Sequence, residues 1–477
     1  MRKMKHRSST SRAITLLLTA VMLVGCAGQT IPDLSRLYRA PDHPDLHAAS
    51  IADQPPVILI HGAFGSRLNH VDTDKEYWPG GLTDILFSDY RDIALSINPE
   101  TLQPVSSELR ASGITDQVAG KEFYGAIMRT MEEAGGFVRG APGEKQLGGS
   151  RRYYIFIYDW RQDIVQTARK LDDLIEQIRR DYASPNLKMD IVAHSMGGLV
   201  TRYYLRYGRI DVLDDNDFPV NGYGTERVNK VVLLGTPNLG SVSTLHEVLQ
   251  GMKVGLRRIP TEVMATWPST YQLFPHPIRT SMVTLKGDVL DRDLFDVNIW
   301  KRFEWSIYDP AIRQRVIENQ GQDYFDLLVA YVDKHIERAR RFVWSLSVPM
   351  PDSPVRYIVF GGGCELTPAR LLVEEYKGES MVRLYPDEIA NPLADVDYSQ
   401  LMLEPGDGRV TKSSLFAREA LDPTIPRHKY SYFPLDYAMM LCETHDTLTG
   451  NIHFQDNLLN VLLTRDKPAE KQEIGNK

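Results

Sequence analysis

The sequence predicts an α/β protein of the α/β-hydrolase fold, with a mostly parallel central sheet flanked by helices and a helical cap inserted late in the chain. Three observations carry this prediction. Short apolar runs alternate with helical patterns, one run ends in a Ser set among small residues just before a helix, and a single long stretch breaks the alternation.

The runs Val57–Ile60, Tyr153–Tyr158, Met189–Ala193, Val228–Leu234 and Tyr357–Phe360 are short, continuous and apolar, as strands buried on both faces are. Between them Ile164, Ala168, Leu171, Ile175 and Ile178 recur on one helical face. Alternation of this kind builds parallel strands joined by helices that cover both faces of the sheet. From about Val242 to Val348, Pro, Trp and helical segments such as Tyr324–Phe342 replace the rhythm, with no strong strand. A long insertion between late strands usually covers an active site, although a subdomain remote from chemistry would read the same way. The organisation expected is a core over 55–241 and 351–465, a cap over 242–350 and a polar tail over 466–477.

With 477 residues, 43% of them hydrophobic and 25% charged, the chain has the composition of a globular protein with a large core. The N-terminus differs. Arg2, Lys3, Lys5, Arg7 and Arg12 precede an apolar run from Ala13 to Val24, which is the layout of a signal peptide over 1–25 and too short to span a bilayer comfortably. Leu23-Val24-Gly25-Cys26 resembles the lipobox of bacterial lipoproteins, in which the Cys is acylated. That Ala27 rather than Asp follows implies, by the same resemblance, the outer membrane. Losing those five cations takes the formal charge from −7 to −12. An acidic surface gives no electrostatic reason to bind nucleic acid, and membrane attachment would rest on the acyl chains. Residues 26–54 are polar and Pro-containing, as a tether is, so folded structure is expected from near Pro55.

Ala193-His194-Ser195-Met196-Gly197-Gly198 follows a strand and opens the helical pattern Leu199–Tyr207, the context of a nucleophile elbow. Small residues at 193 and 197 are needed because strand and helix backbones approach closely there. Ser195 is the predicted nucleophile. His61-Gly62-Ala63-Phe64-Gly65-Ser66 follows the first strand, where this fold places its oxyanion loop, so the amides of Ala63 and Met196 are the predicted oxyanion hole. The acid is expected after a late strand and before the His. Asp407 in Gly406-Asp407-Gly408 fits best, with Asp395, Asp397 and Asp422 as competitors; an Asp between glycines also serves as an ordinary turn residue. His445, just before an amphipathic run from Phe454 to Leu463, is the predicted base, with His453 and His428 as rivals. No His-Glu-x-x-His pair, cysteine cluster or phosphate-binding Gly-Lys loop is present, so neither metal nor cofactor is implied.

With these residues in place the chain resembles the lecithin:cholesterol acyltransferase family, which includes lysosomal phospholipases and phospholipid:diacylglycerol acyltransferases. The resemblance runs from about residue 55 to 465. It rests on the Ser195 elbow, Pro56 to Leu68, Tyr158-Asp159-Trp160-Arg161, Leu234-Gly235-Thr236-Pro237-Asn238-Leu239-Gly240-Ser241 and Pro268-Ser269-Thr270-Tyr271-Gln272-Leu273-Phe274-Pro275. His61 stands where many members have Pro, and residues 276–350 match no pattern of the family. The resemblance implies acyl esters of lipids or phospholipids as substrate, with water or an alcohol accepting the acyl group. Trp78-Pro79-Gly80 is a candidate edge of the acyl pocket. Hydrolysis of soluble esters or thioesters is the enzymatic alternative. A catalytically inactive envelope lipoprotein is the non-enzymatic one, and a complete Ser, Asp, His set argues against it.

Once Cys26 is acylated, Cys364 and Cys442 remain as an even pair in a compartment that permits disulfides. Both should lie at the carboxyl ends of neighbouring strands. A bridge there would close a long loop containing Asp407 and stabilise the fold by about 4 kcal/mol in the chain-entropy model. Two separate buried thiols are the alternative.

Overall fold

Seven strands, all parallel, form the centre of the molecule. The computed structural model describes residues 32–39 and 54–464, except 106–107, 119–120, 147, 349, 351–352 and 418–434. The signal segment with Cys26, the tail over 466–477 and the rivals Asp422 and His428 lie outside the described residues. In chain order, the elements that frame the site are α1 (Leu34–Arg39), β1 (Val57–Ile60), β2 (Phe137–Arg139), β3 (Arg151–Phe156), α2 (Ile164–Asp181), β4 (Met189–His194), α3 (Met196–Tyr207), β5 (Val228–Leu234), α4 (Gln322–Ser345), β6 (Arg356–Gly362), β7 (Leu435–Leu441) and α5 (Ile452–Leu463).

The sheet order is β7-β6-β5-β4-β1-β3-β2, and every neighbouring pair runs parallel. The order reverses around β1. Ligands of open α/β sheets bind at the carboxyl ends of the strands next to such a reversal. The strands end level there: Ile60 lies beside Phe156 and Ala193, and Leu234 beside His194 and Phe360.

Successive strand residues face opposite layers, because the side-chain period of a strand is two. Ile58, Ile60, Ile191, Ala193, Val231 and Leu233 pack with α2, α3 and α4. Val57, Leu59, Val192, Val232 and Leu234 pack with α1 and α5 on the other side. Each fully buried Val, Leu or Ile contributes roughly 1.5–3 kcal/mol, so a sheet apolar on both faces is stable only inside such a sandwich. Asp163 caps α2, accepting from the Val165 amide at 2.8 Å, and pairs with Arg338 of α4 at 2.8 Å.

All five predicted strands are present, within two residues at their ends. The two strands not foreseen, β2 and β7, are the sheet edges. Their half-exposed sequences, with Val138 46% and Tyr437 41% exposed, lack the continuous apolar run by which a central strand is recognised.

Three boundaries differ from expectation. The segment 26–54 is not all tether: Leu34 and Tyr38, one helical turn apart in α1, are buried, and the Tyr38 hydroxyl donates to the Asp456 carboxylate of α5 at 2.6 Å. The stretch 242–350 is not purely helical either, since Met252–Val254 and Arg257–Ile259 form an antiparallel hairpin and Met282–Thr284 pairs with Leu371–Tyr376. Finally, 351–465 is not continuous core. Between β6 and β7 the chain leaves the sheet to form the antiparallel pair Glu365–Pro368 with Leu403–Gly406 and the hairpin Leu371–Tyr376 with Glu379–Arg383.

Candidate active site

Ser195 occupies the turn between β4 and α3 with φ 54° and ψ −125°. A non-glycine residue at positive φ costs on the order of 1–3 kcal/mol and persists only where its surroundings impose it. Here they do. A Cβ on Gly197 would sit 2.5 Å from the His61 carbonyl, one on Gly62 would sit 2.7 Å from Ser195 Cβ, and one on Gly198 would collide with the Thr236 hydroxyl. The small residues around Ser195 therefore record how closely β1, β4 and α3 meet. The Ser195 amide donates to the Leu234 carbonyl at 2.8 Å, tying the turn to β5.

Two long connections bring the other predicted residues to it. The pair Glu365–Pro368 with Leu403–Gly406 delivers Asp407 to the end of β6, and β7 delivers His445. His445 Nε2 lies 3.0 Å from Ser195 Oγ, and Nδ1 lies 2.8 Å from Asp407 Oδ2. Asp407 Oδ1 accepts the amides of Val410 at 2.7 Å and Arg409 at 3.0 Å. The His445 amide donates to the Asp407 carbonyl at 2.8 Å. Burial opposes charge on Asp407, but the neighbouring His445 and the two amides outweigh it and hold the carboxyl below its ordinary range. The competitors among the described residues are elsewhere: Asp395 and Asp397 are exposed, Asp397 capping the short helix Tyr398–Met402, and His453 is exposed on α5.

The loop after β1 is held from below. His61 is fully buried and stacked on Tyr158, with ring centroids 4.1 Å apart. Its Nδ1–H donates to the Gly62 carbonyl at 2.8 Å, Nε2 accepts the Tyr158 amide at 3.3 Å, and the Tyr158 hydroxyl donates to the His61 carbonyl at 2.7 Å. Burial drives its pKa down to about 4, so the ring is neutral and can both donate and accept. Ala63 then borders the cavity beside Ser195. Met196 opens α3, where the first amides of a helix have no intrahelical acceptor.

A cavity of about 340 Å³ extends from Ser195 and His445 between Phe64, Trp78, Trp160, Met264, Trp267 and Leu273. Its tryptophan walls present apolar faces because each indole N–H is already satisfied: Trp78 donates to Phe64 O, Trp160 to Ser66 O and Trp267 to Ile93 O, at 3.0, 3.1 and 3.0 Å, while Glu247, Lys253, Arg409 and Asp446 also border the cavity. Trp78 and Pro79, singled out in the sequence, are part of this wall. Among the described residues of the predicted cap, those that line the cavity all fall between Thr244 and Leu273. Helix α4 instead packs against α3, with the Tyr207 hydroxyl donating to the Ser345 carbonyl at 2.7 Å. Two neighbours of the hydrogen-bonded Ser195, His445 and Asp407 went unassigned in the sequence. Tyr124 carries no motif, and His194 lies inside the elbow without an evident role until the fold sets the two side by side.

Cys364 and Cys442 are joined by a disulfide between the ends of β6 and β7, with Cα atoms 5.0 Å apart. Both are exposed rather than buried. The bond lies three residues from His445.

The lecithin:cholesterol acyltransferase family model matches residues 153–415. No curated protein matches the sequence. Among solved structures, a chain of the Tle4–Tli4 complex is 17% identical, with a TM-score of 0.50, over 86% of this chain and 98% of that one. Lipase 1 from Pelosinus fermentans is 11% identical over 87% and 100% of the two chains, with a TM-score of 0.36. EstA from Clostridium botulinum is 13% identical over 89% and 91%, with a TM-score of 0.33. The family match spans more than half of the sequence and runs through the elbow to the loop of Asp407, so this chain belongs to the lecithin:cholesterol acyltransferase family and is an ester hydrolase or acyltransferase of the α/β-hydrolase fold.

Proposed function

We propose that the protein is a lipid-anchored enzyme of the bacterial envelope that cleaves acyl esters of glycerolipids through an acyl-enzyme on Ser195. The observation that carries this reading is the apolar cavity opening directly onto the Ser195–His445–Asp407 chain. His445 Nε2 takes the Ser195 proton as Oγ attacks the ester carbonyl carbon, Asp407 holds Nδ1–H and steadies the imidazolium, and the amides of Ala63 and Met196 receive the oxyanion. Collapse of the tetrahedral intermediate expels the alcohol, which leaves with the proton from His445. Water or a second alcohol, deprotonated by the same nitrogen, then takes the acyl group from Ser195.

Two exposed apolar side chains close in sequence to lining residues support a lipid substrate. Leu256 is 72% exposed and Phe87 60% exposed, each two residues along the chain from a lining residue, Val254 and Ile85. Isolated exposed hydrophobics are common, but two on segments that line one cavity suit an aggregated substrate. Activity is expected to rise from nitrophenyl butyrate to the palmitate ester and to be retained on phospholipid vesicles. A preference for butyrate with no vesicle hydrolysis would replace this reading with that of a soluble esterase.

Anchoring rests on the lipobox at Cys26. Radiolabelled palmitate is expected to enter the wild type and not Cys26→Ser, which should leave the membrane fraction; label and membrane retention in Cys26→Ser would refute the anchor at this residue.

A further inference from the structure

Tyr124 lies beneath the catalytic loops, 3% exposed. Its hydroxyl is 2.8 Å from the Gly62 amide and 2.7 Å from His194 Nδ1. His194 Nε2 in turn lies 3.3 Å from the carbonyl oxygen of His445, and the two imidazole rings are 4.9 Å apart. The proton positions follow from what each atom can do. The Gly62 amide can only donate and the His445 carbonyl can only accept. A neutral His194 has one N–H, and placing it on Nδ1 would set a bare nitrogen lone pair against the carbonyl. The N–H is therefore on Nε2, Nδ1 accepts, and the Tyr124 hydroxyl accepts from Gly62 while donating to His194. Burial first, and then the adjacent His445, push His194 down to about 3, which keeps it neutral.

We infer that Tyr124 and His194 are positioning residues that couple the oxyanion loop to the catalytic base, holding Gly62-Ala63 and the His445 backbone in one register through three hydrogen bonds. The inference rests on the assignment of Ser195 and His445 given above. Neither residue touches the reacting atoms; their effect is on where the Ala63 amide and His445 Nε2 sit when the oxyanion forms. Misplacement by about 1 Å at such a site costs on the order of a hundred-fold. Both residues border the cavity, but Tyr124→Phe keeps the ring that forms its wall and removes only the hydrogen-bonding oxygen, so the loss belongs in kcat.

Tyr124→Phe keeps the ring and removes the shared oxygen. On nitrophenyl butyrate, kcat should fall about ten- to hundred-fold, with KM within about two-fold, and fluorophosphonate labelling of Ser195 should slow in parallel. A second pair of variants separates this role from packing: His194→Gln retains a donor toward the His445 carbonyl and should keep several-fold more activity than His194→Leu. Equal kcat in His194→Gln and His194→Leu, or wild-type kcat in Tyr124→Phe, overturns the coupling. If Tyr124→Phe does not fold, the His194 pair alone decides by the same comparison. A Ser195→Ala control separates the two levels: its retained activity would remove the triad reading itself, whereas its inactivity alongside an unaffected Tyr124→Phe would remove only the present inference.

Discussion

Replacing Ser195 with Ala is expected to reduce turnover on the order of a million-fold, because the members of a triad act as a unit and little remains once the nucleophile is gone. The fold should survive. Ser195 lies at the turn into α3 and makes no side-chain cap to it, and Ala fits wherever Ser fits, so the positive φ is no worse served. A fluorophosphonate probe measures the same point directly by labelling wild type and not Ser195→Ala. Undiminished labelling or turnover in the Ala variant would place the nucleophile elsewhere. His445→Ala should be nearly as damaging, since His445 Nε2, 3.0 Å from Ser195 Oγ, is the nitrogen placed to take its proton.

The second large effect is expected at Asp407. Asp407→Asn preserves size but replaces an acceptor-only carboxylate with an amide that can turn its NH₂ toward His445 Nδ1. His445 would then carry its proton on Nε2, facing Ser195, and could no longer accept the hydroxyl proton; a loss of about 10⁴-fold in kcat is the expected scale. The carboxylate also accepts the Arg409 and Val410 amides, so some stability should be lost with the activity. That stability has a pH sign. The folded carboxyl is held below its ordinary pKa, so the contribution is present above the unfolded pKa and fades as pH falls through the lower folded value. Acid unfolding of Asp407→Asn should therefore be less steep than that of the wild type. Unchanged kcat in Asp407→Asn at neutral pH would remove Asp407 from the triad.

Much of the site could be read from local pattern because the elbow must obey local rules. Strand, small residue, Ser, small residue, helix is a contiguous requirement of backbone approach, and the collisions awaiting a Cβ at Gly197 and Gly198 show why it leaves so plain a trace. Asp407 and His445 were harder. Each lies in a loop whose place depends on how far the chain wanders from the sheet beforehand, and their local sequences resemble ordinary turns. Tyr124 left no trace, because a Tyr before a short helix is indistinguishable from a packing residue until its hydroxyl is seen between Gly62 and His194.

By itself, the sequence determined the fold class, the five inner strands, the elbow at Ser195 and the family resemblance, all features set by side-chain periodicity or by contiguous backbone geometry. Only the tertiary structure decided which Asp and which His among several meet Ser195, that the two edge strands complete the sheet, that α1 docks instead of tethering, and that only the first part of the cap covers the cavity. Those are outcomes of long-range packing, in which residues hundreds of positions apart compete for the same space, and no local window of sequence records who wins.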